Sequence, residues 1–193
     1  METFFIKKYL KNKFYYQARL EHVVNQIQWD FTSVLDLGSG ELIFKDIARK
    51  KGKIIQYIGV DQYKYSDDPD FIQSDILDES LFRDTKFDII LCLGVMDHFE
   101  LNQCEKLVAL YKPKCKKMFI LNQSNPRSIL NLILGLKSTS FIDVEKSMGK
   151  PAFMKMHFIK IPMTQAFFKI TNSSFFNKYL ATETVYYFSV NEP

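Results

Sequence analysis

The stretch Val34-Leu35-Asp36-Leu37-Gly38-Ser39-Gly40-Glu41 constrains this chain more than any other. Residues of buried-strand character run through an acid into a glycine-serine-glycine turn, and a segment of helical character follows. Glycine at such a turn lets the backbone bend sharply and lets a ligand approach the main chain, which a Cβ would hinder. A second landmark, Ile58-Gly59-Val60-Asp61, is a short apolar strand that ends in another acid. A glycine-rich first turn followed about 20 residues later by a strand-end carboxylate is how doubly wound folds hold a nucleoside, the carboxylate taking the ribose hydroxyls. The pattern therefore predicts an α/β, Rossmann-like doubly wound sheet and says more about what the chain binds than about what it modifies.

Two ligand classes use this layout. The dinucleotide fingerprint G-x-G-x-x-G needs a third glycine for close helix–strand packing, and Ile43 stands there instead. Asp36, two residues before the first glycine, would repel a pyrophosphate but suits a ligand with a cationic centre. The chain here resembles the class I S-adenosylmethionine-dependent methyltransferases. VLDLGSG is similar to the family's first motif, IGVDQ to its second, QSDIL to its third and FDIILCLGVMDHFE to its fourth, in order over residues 34–100. One departure is Leu42, which replaces the last glycine of the usual D-x-G-x-G-x-G.

The resemblance implies a seven-stranded, mostly parallel sheet with a C-terminal antiparallel hairpin, and S-adenosyl-L-methionine as cofactor. It implies that Gly38, Ser39 and Gly40 lie under the methionine part, which Asp36 helps to place. Asp61 would bind the ribose hydroxyls with Gln62 nearby. Asp75 would accept from the adenine amino group, the Ile76 amide would meet the ring, and the Leu93 carbonyl would take the ligand's amino group. The alternative is a catalytically inactive chain of the same fold that serves as a binding or interaction protein; Leu42 and the short region after Asp61 are its supporting features.

Length and composition fit one domain over 1–193, with a helical arm (1–29), a cofactor-binding half (30–125) and an acceptor-side half (126–193). The net charge of +4 is concentrated at the start, where Lys7, Lys8, Lys11, Lys13 and Arg19 face only Glu2. A nucleic-acid binder would carry a basic face throughout, so no nucleic-acid partner is expected. The basic arm could meet a membrane surface peripherally, lie over the cofactor as a lid, or pack on the sheet with its lysines in water. Cys92, Cys104 and Cys115 lack metal-ligand spacing and read as buried, reduced thiols of a cytoplasmic protein. The opening residues show no signal-peptide pattern, and no apolar run is long enough to span a membrane.

Along the chain, the pattern predicts an amphipathic helix over 3–28 and strands over 31–37, 54–60, 70–74, 87–93 and 116–121. Helices are expected over 41–51, where Gly52 would stop the chain, and over 102–111. The second strand is followed by polar residues with no room for a full helix. A polar loop is expected at 122–126, an apolar helix at 129–136, an extended segment near 154–161, a helix at 165–171, and a terminal hairpin of 175–182 with 185–190.

Methyl transfer needs a base only where the acceptor must lose a proton. His98, just after the fourth strand, and His157 are the candidates, because histidine titrates near pH ~6.5; His98 has a loop-ordering role as its bland alternative. The amide-methylating N-P-P-Y motif is absent, since Leu93-Gly94-Val95-Met96 occupies that place. The expected acceptor is a small molecule, a glycan or a lipid-linked compound, methylated on oxygen.

Overall fold

The computed structural model describes residues 13–27, 30, 33–53, 56–124, 153–157 and 183–189. The tip of the basic arm, the apolar stretch at 129–136, the helix expected at 165–171 and the strand expected at 175–182 lie outside these residues. The described chain forms helix α1 (Lys13–Gln26), strand β1 (Ser33–Leu37), helix α2 (Ile43–Lys50) and strands β2 (Gln56–Asp61), β3 (Phe71–Gln73) and β4 (Phe87–Cys92). Helix α3 (Leu101–Tyr111) and strands β5 (Cys115–Ser124), β6 (Phe153–His157) and β7 (Glu183–Ser189) follow.

These strands make one seven-stranded sheet in the order β3-β2-β1-β4-β5-β7-β6. The first five are parallel to their neighbours, while β7 runs antiparallel to β5 and β6 antiparallel to β7. Leu35 lies opposite Ile58 on one side and Ile90 on the other, so β1 is central. The strand order reverses beside β1, and ligands of open α/β sheets sit outside the carboxyl ends of the strands at that point.

Both faces of the sheet are covered, which is why the strands read as near-continuous apolar runs; every residue of β4 is buried. On one face Val34, Tyr57, Ile89, Leu91 and Ile120 meet Val23, Val24 and Ile27 of the α1 segment and Phe44, Ile47 and Ala48 of α2. On the other, Leu35, Leu37, Val60, Ile90, Phe119 and Leu121 meet Cys104, Leu107, Val108 and Tyr111 of α3. Burying Val23, Val24 and Ile27 stabilises the docking of α1 by on the order of 2 kcal/mol each. All three cysteines are buried free thiols, and burial pushes the Cys115 thiol up to about 12.

Three expectations need correction. Helix α2 begins at Ile43, because Leu42 takes a left-handed conformation (φ 60°) that no helix can include. Strand β5 continues through Asn122, Gln123 and Ser124, which pair with Val185, Thr184 and Glu183. The antiparallel edge is not a hairpin of 175–182 with 185–190. The outer partner of β7 is β6, with His157 opposite Glu183. Between β2 and β3 the chain forms bends and no helix, as its polarity predicts.

Candidate active site

The turn after β1 takes its shape from glycine at two points. Gly38 has φ 73° and Gly40 φ 53°, in the left-handed region. A Cβ on Gly38 would also lie 2.3 Å from Cγ2 of Val95, whereas one on Gly40 would meet nothing within 4 Å. The turn is lashed to the end of β2. The amides of Gly38 and Ser39 both donate to the Val60 carbonyl, at 2.8 and 3.1 Å. The Gly40 amide donates to Oδ2 of Asp61 at 3.1 Å, and the Tyr63 amide to Oδ1 at 3.2 Å. Asp61 thus joins the two landmarks of the sequence.

Leu42 explains Gly59. Its side chain is buried against β2, where a Cβ on residue 59 would lie 2.4 Å from Leu42 Cδ2 and 2.6 Å from Ser39 Oγ. A bulky residue at the helix entrance is thus accommodated by a glycine in the neighbouring strand.

Above these strand ends lies a cavity of about 880 Å³. Its wall includes Asp36, Gly38, Ser39, Gly40, Asp61, Gln62, Asp75, Ile76, Leu93 and His98, so ten of the expected site residues come together here. Asp75 is exposed and its Oδ1 accepts the Leu77 amide at 2.8 Å, which fixes the turn that presents the buried Ile76. His98 closes the single helical turn Met96–His98 and is exposed at the cavity. Among the described residues no hydrogen bond orients its imidazole. Of His157 the backbone alone is described. It ends β6 at the far edge of the sheet, three strand spacings from β4, or roughly 14 Å at ~4.8 Å each.

Four further wall residues with polar side chains were not singled out as ligand-binding by sequence reading. Tyr63 and Tyr65, both exposed, stand on the loop after Asp61 with their rings edge to face at 6.2 Å. Glu41 and Arg19 complete the set. Arg19 comes from α1 and is only 3 % exposed, so the arm closes part of the cavity while Val23 and Val24 anchor it. Their spacing of four residues puts Arg19 and Val23 on one helical face, a signal visible in the sequence once the inward face is known.

Asp36 is the most perturbed acid of the wall. Burial pushes its carboxyl up to about 7. The Tyr57 hydroxyl, which donates to Oδ2 at 2.5 Å, and the Arg19 charge both pull it down, while Asp61 pushes it further up. Burial and the Asp36 charge together hold the Tyr57 phenol well above its ordinary value.

The loop between β2 and β3 is held by charge. The Lys45 ammonium of α2, buried under the loop, lies 2.5 Å from Asp68 Oδ1 and 2.7 Å from Asp70 Oδ2. Burial pulls Lys45 down, but its bonds to Asp68 and Asp70 outweigh it and raise its pKa. The hydrogen bond from Lys45, then that from the Asp70 amide, holds the Asp68 carboxyl below the usual carboxylate range.

No protein-family model matches the chain, and no curated protein matches it in sequence. Solved structures do match it in fold. A SAM-dependent methyltransferase from Archaeoglobus fulgidus superposes with a TM-score of 0.71 at 16% identity, over 96% of this chain and 98% of that one. Magnesium protoporphyrin IX methyltransferase from Synechocystis PCC 6803, with bound SAM, gives 0.64 at 14% identity, over 99% of this chain and 86% of that one. The methyltransferase domain of bacterial CtHen1 gives 0.62 at 16% identity, over 91% and 99%. The chain therefore has the class I, Rossmann-like methyltransferase fold, as the four motifs imply.

Proposed function

We propose that this protein is an S-adenosylmethionine-dependent methyltransferase, directed to oxygen, with a small-molecule, glycan or lipid-linked acceptor. One observation carries the choice of ligand within the fold. The three amides of the Gly38–Gly40 turn are spent on the Val60 carbonyl and Asp61, and the cavity wall presents Asp36, Glu41, Asp61 and Asp75. A pyrophosphate needs free amides and no facing carboxylate, so a dinucleotide fits poorly. An adenosyl ligand with a sulfonium and an ammonium fits this set of acceptors.

In this reading Asp61 takes the ribose hydroxyls with Gln62 beside it. Asp75 and the Ile76 amide read adenine, and the Leu93 carbonyl and Asp36 take the ammonium. Once bound, S-adenosylmethionine supplies an electrophilic methyl group on a good leaving group. The protein's part is then alignment of the acceptor. In the same reading His98 receives the acceptor's hydroxyl proton, supported by its exposure at the cavity beyond β4. His157 stays the lesser candidate, given the position of its backbone. The features that favour an inactive binding protein have structural answers: Leu42 is accommodated by Gly59, and the short loop after Asp61 is ordered by Lys45.

Calorimetric titration with S-adenosylmethionine, S-adenosylhomocysteine and NAD tests the reading. Micromolar binding of the two adenosyl ligands and none of NAD is expected, with Asp61→Ala lowering affinity at least 100-fold. Absence of binding to either adenosyl ligand would overturn the assignment.

A further inference from the structure

Lys45 breaks the pattern of its helix. The buried residues of α2 around it, Phe44, Ile47 and Ala48, are apolar and pack on the sheet, whereas Lys45 is a long cation that is only 2 % exposed. Burying an ammonium is costly, and apolar side chains in place of a buried ion pair are often as stable or more so. Stability alone therefore does not account for a lysine here. What it adds is direction: its Nζ meets two carboxylates of one loop, Asp68 at 2.5 Å and Asp70 at 2.7 Å.

That loop runs from Asp61 to β3, where a doubly wound fold would carry a helix. Its far end is wired tightly. Ser66 Oγ accepts the Asp68 amide at 3.1 Å, Asp68 Oδ1 accepts the Asp70 amide at 2.9 Å, and the Asp70 carbonyl accepts the Gly59 amide at 2.8 Å. Its near end reaches the ligand site. The Tyr63 amide donates to Oδ1 of Asp61, so the loop holds one oxygen of that carboxylate while the Gly40 amide holds the other. Helix α2 begins just after the glycine turn, so Lys45 ties the loop to the element that follows Gly40. Lys45, Asp68 and Asp70 themselves stand outside the cavity wall. Asp61 is thus set from both sides by groups whose relative position depends on Lys45.

We propose that Lys45 is a positioning residue for nucleoside binding. By drawing in Asp68 and Asp70 it keeps the 62–65 stretch in place, and through the Tyr63 amide it aims the Asp61 carboxylate at the ribose hydroxyls. Hydrogen bonds weaken steeply away from linear geometry. A small rotation of the Asp61 carboxylate therefore costs the ribose contact and leaves the other contacts of the ligand in place. The proposal rests on the donor assignment above and adds to it a residue that never touches the ligand.

Calorimetric titration of the full chain with S-adenosylhomocysteine and with its 2′-deoxyadenosyl analogue reads how Asp61 is aimed. The wild type should prefer the ribose compound about 10- to 100-fold, the range of a hydrogen bond to a charged group. Lys45→Met should lose most of that preference while binding the deoxy compound nearly as the wild type does, and Lys45→Arg, which keeps the charge, should recover part of it. Asp68→Asn keeps an acceptor for the Asp70 amide without the charge; it should lower the preference too, and it decides the matter if Lys45→Met does not fold. An undiminished preference in these variants would overturn the proposal. So would an equal loss of both compounds, which would show that Lys45 only stabilises the fold. Equal wild-type affinity for the two compounds would overturn it through the role of Asp61 while leaving adenosyl binding intact. Wild-type binding of neither would sink the donor assignment itself and this proposal with it.

Discussion

The loops after β2 and after β4 flank the same cavity on either side of β1, and they are held by opposite means. The first, residues 62–70, is polar and carries no helix. Its shape depends on one buried ammonium, Lys45, drawing in Asp68 and Asp70. The second, residues 93–99, is held by contact. Val95 fills the space that Gly38 leaves, the Arg19 guanidinium fills the space that Gly94 leaves, and Met96 is buried behind them. Charge orders a segment that has too little apolar surface to pack. Packing orders the segment that brings Val95 against the glycine turn and His98 to the cavity. The difference teaches that the β2 side of this site should respond to pH and charge, and the β4 side to volume.

The strongest way to break the comparison is Gly38→Ala. The added methyl would collide with Val95 and force an alanine into φ 73°, so a loss of about 4 kcal/mol or more is expected in chemical denaturation. Gly40→Ala is the control. It has open space and should cost only the backbone strain, about 1 kcal/mol. Equal effects would show that the turn's conformation, and not its packing on the β4 loop, is what matters.

Asp36 lies on β1 between the two loops and should separate stability from binding. Its folded pKa of about 7 is raised above the ordinary carboxylate value. The folded state therefore binds the extra proton, and stability is lost as pH rises from about 4 through 7. Asp36→Asn should remove this dependence and stabilise the protein by up to about 4 kcal/mol above pH 7, with little difference near pH 4. The same change should weaken binding of S-adenosylmethionine. Denaturation curves at several pH values check the first part, and a variant with unchanged pH dependence would contradict the cause given for the shift.

Lys45→Met should cost about 3 kcal/mol, because Asp68 and Asp70 lose their partner but retain some access to water. The change should appear as faster amide exchange across residues 62–70, with the 93–99 loop unaffected. Acid should act likewise. The lowered pKa of Asp68 means that its contribution is present at neutral pH and lost as pH falls below the usual carboxylate range. Equal acceleration in both loops would mean that they are not independently held.

Much of this was legible in the chain itself. Val34 to Leu37 and Phe87 to Cys92 announce a sheet buried on both faces by unbroken apolar character. Gly38, Gly40, Asp61 and Asp75 mark the carboxyl edge of that sheet by residue type and spacing alone. Backbone conformation and strand polarity are local properties, so local sequence suffices to read them. What failed was pairing at a distance. Asn122 to Ser124 look like loop until β7 supplies a ladder for them, and nothing near Phe153 says that it will lie opposite Tyr187.

The sequence by itself thus determined the doubly wound fold, the glycine turn and the row of acids above it. Only the tertiary structure decided that Tyr57 would reach Asp36, that Lys45 would lie under Asp68 and Asp70, that Gly59 would make room for Leu42, and that Arg19 would enter the cavity across Gly94. Each of these joins residues that are remote in the chain. Their meeting depends on how α1 and α2 dock on the sheet, and that docking is a property of the summed packing of both faces, which no single stretch encodes.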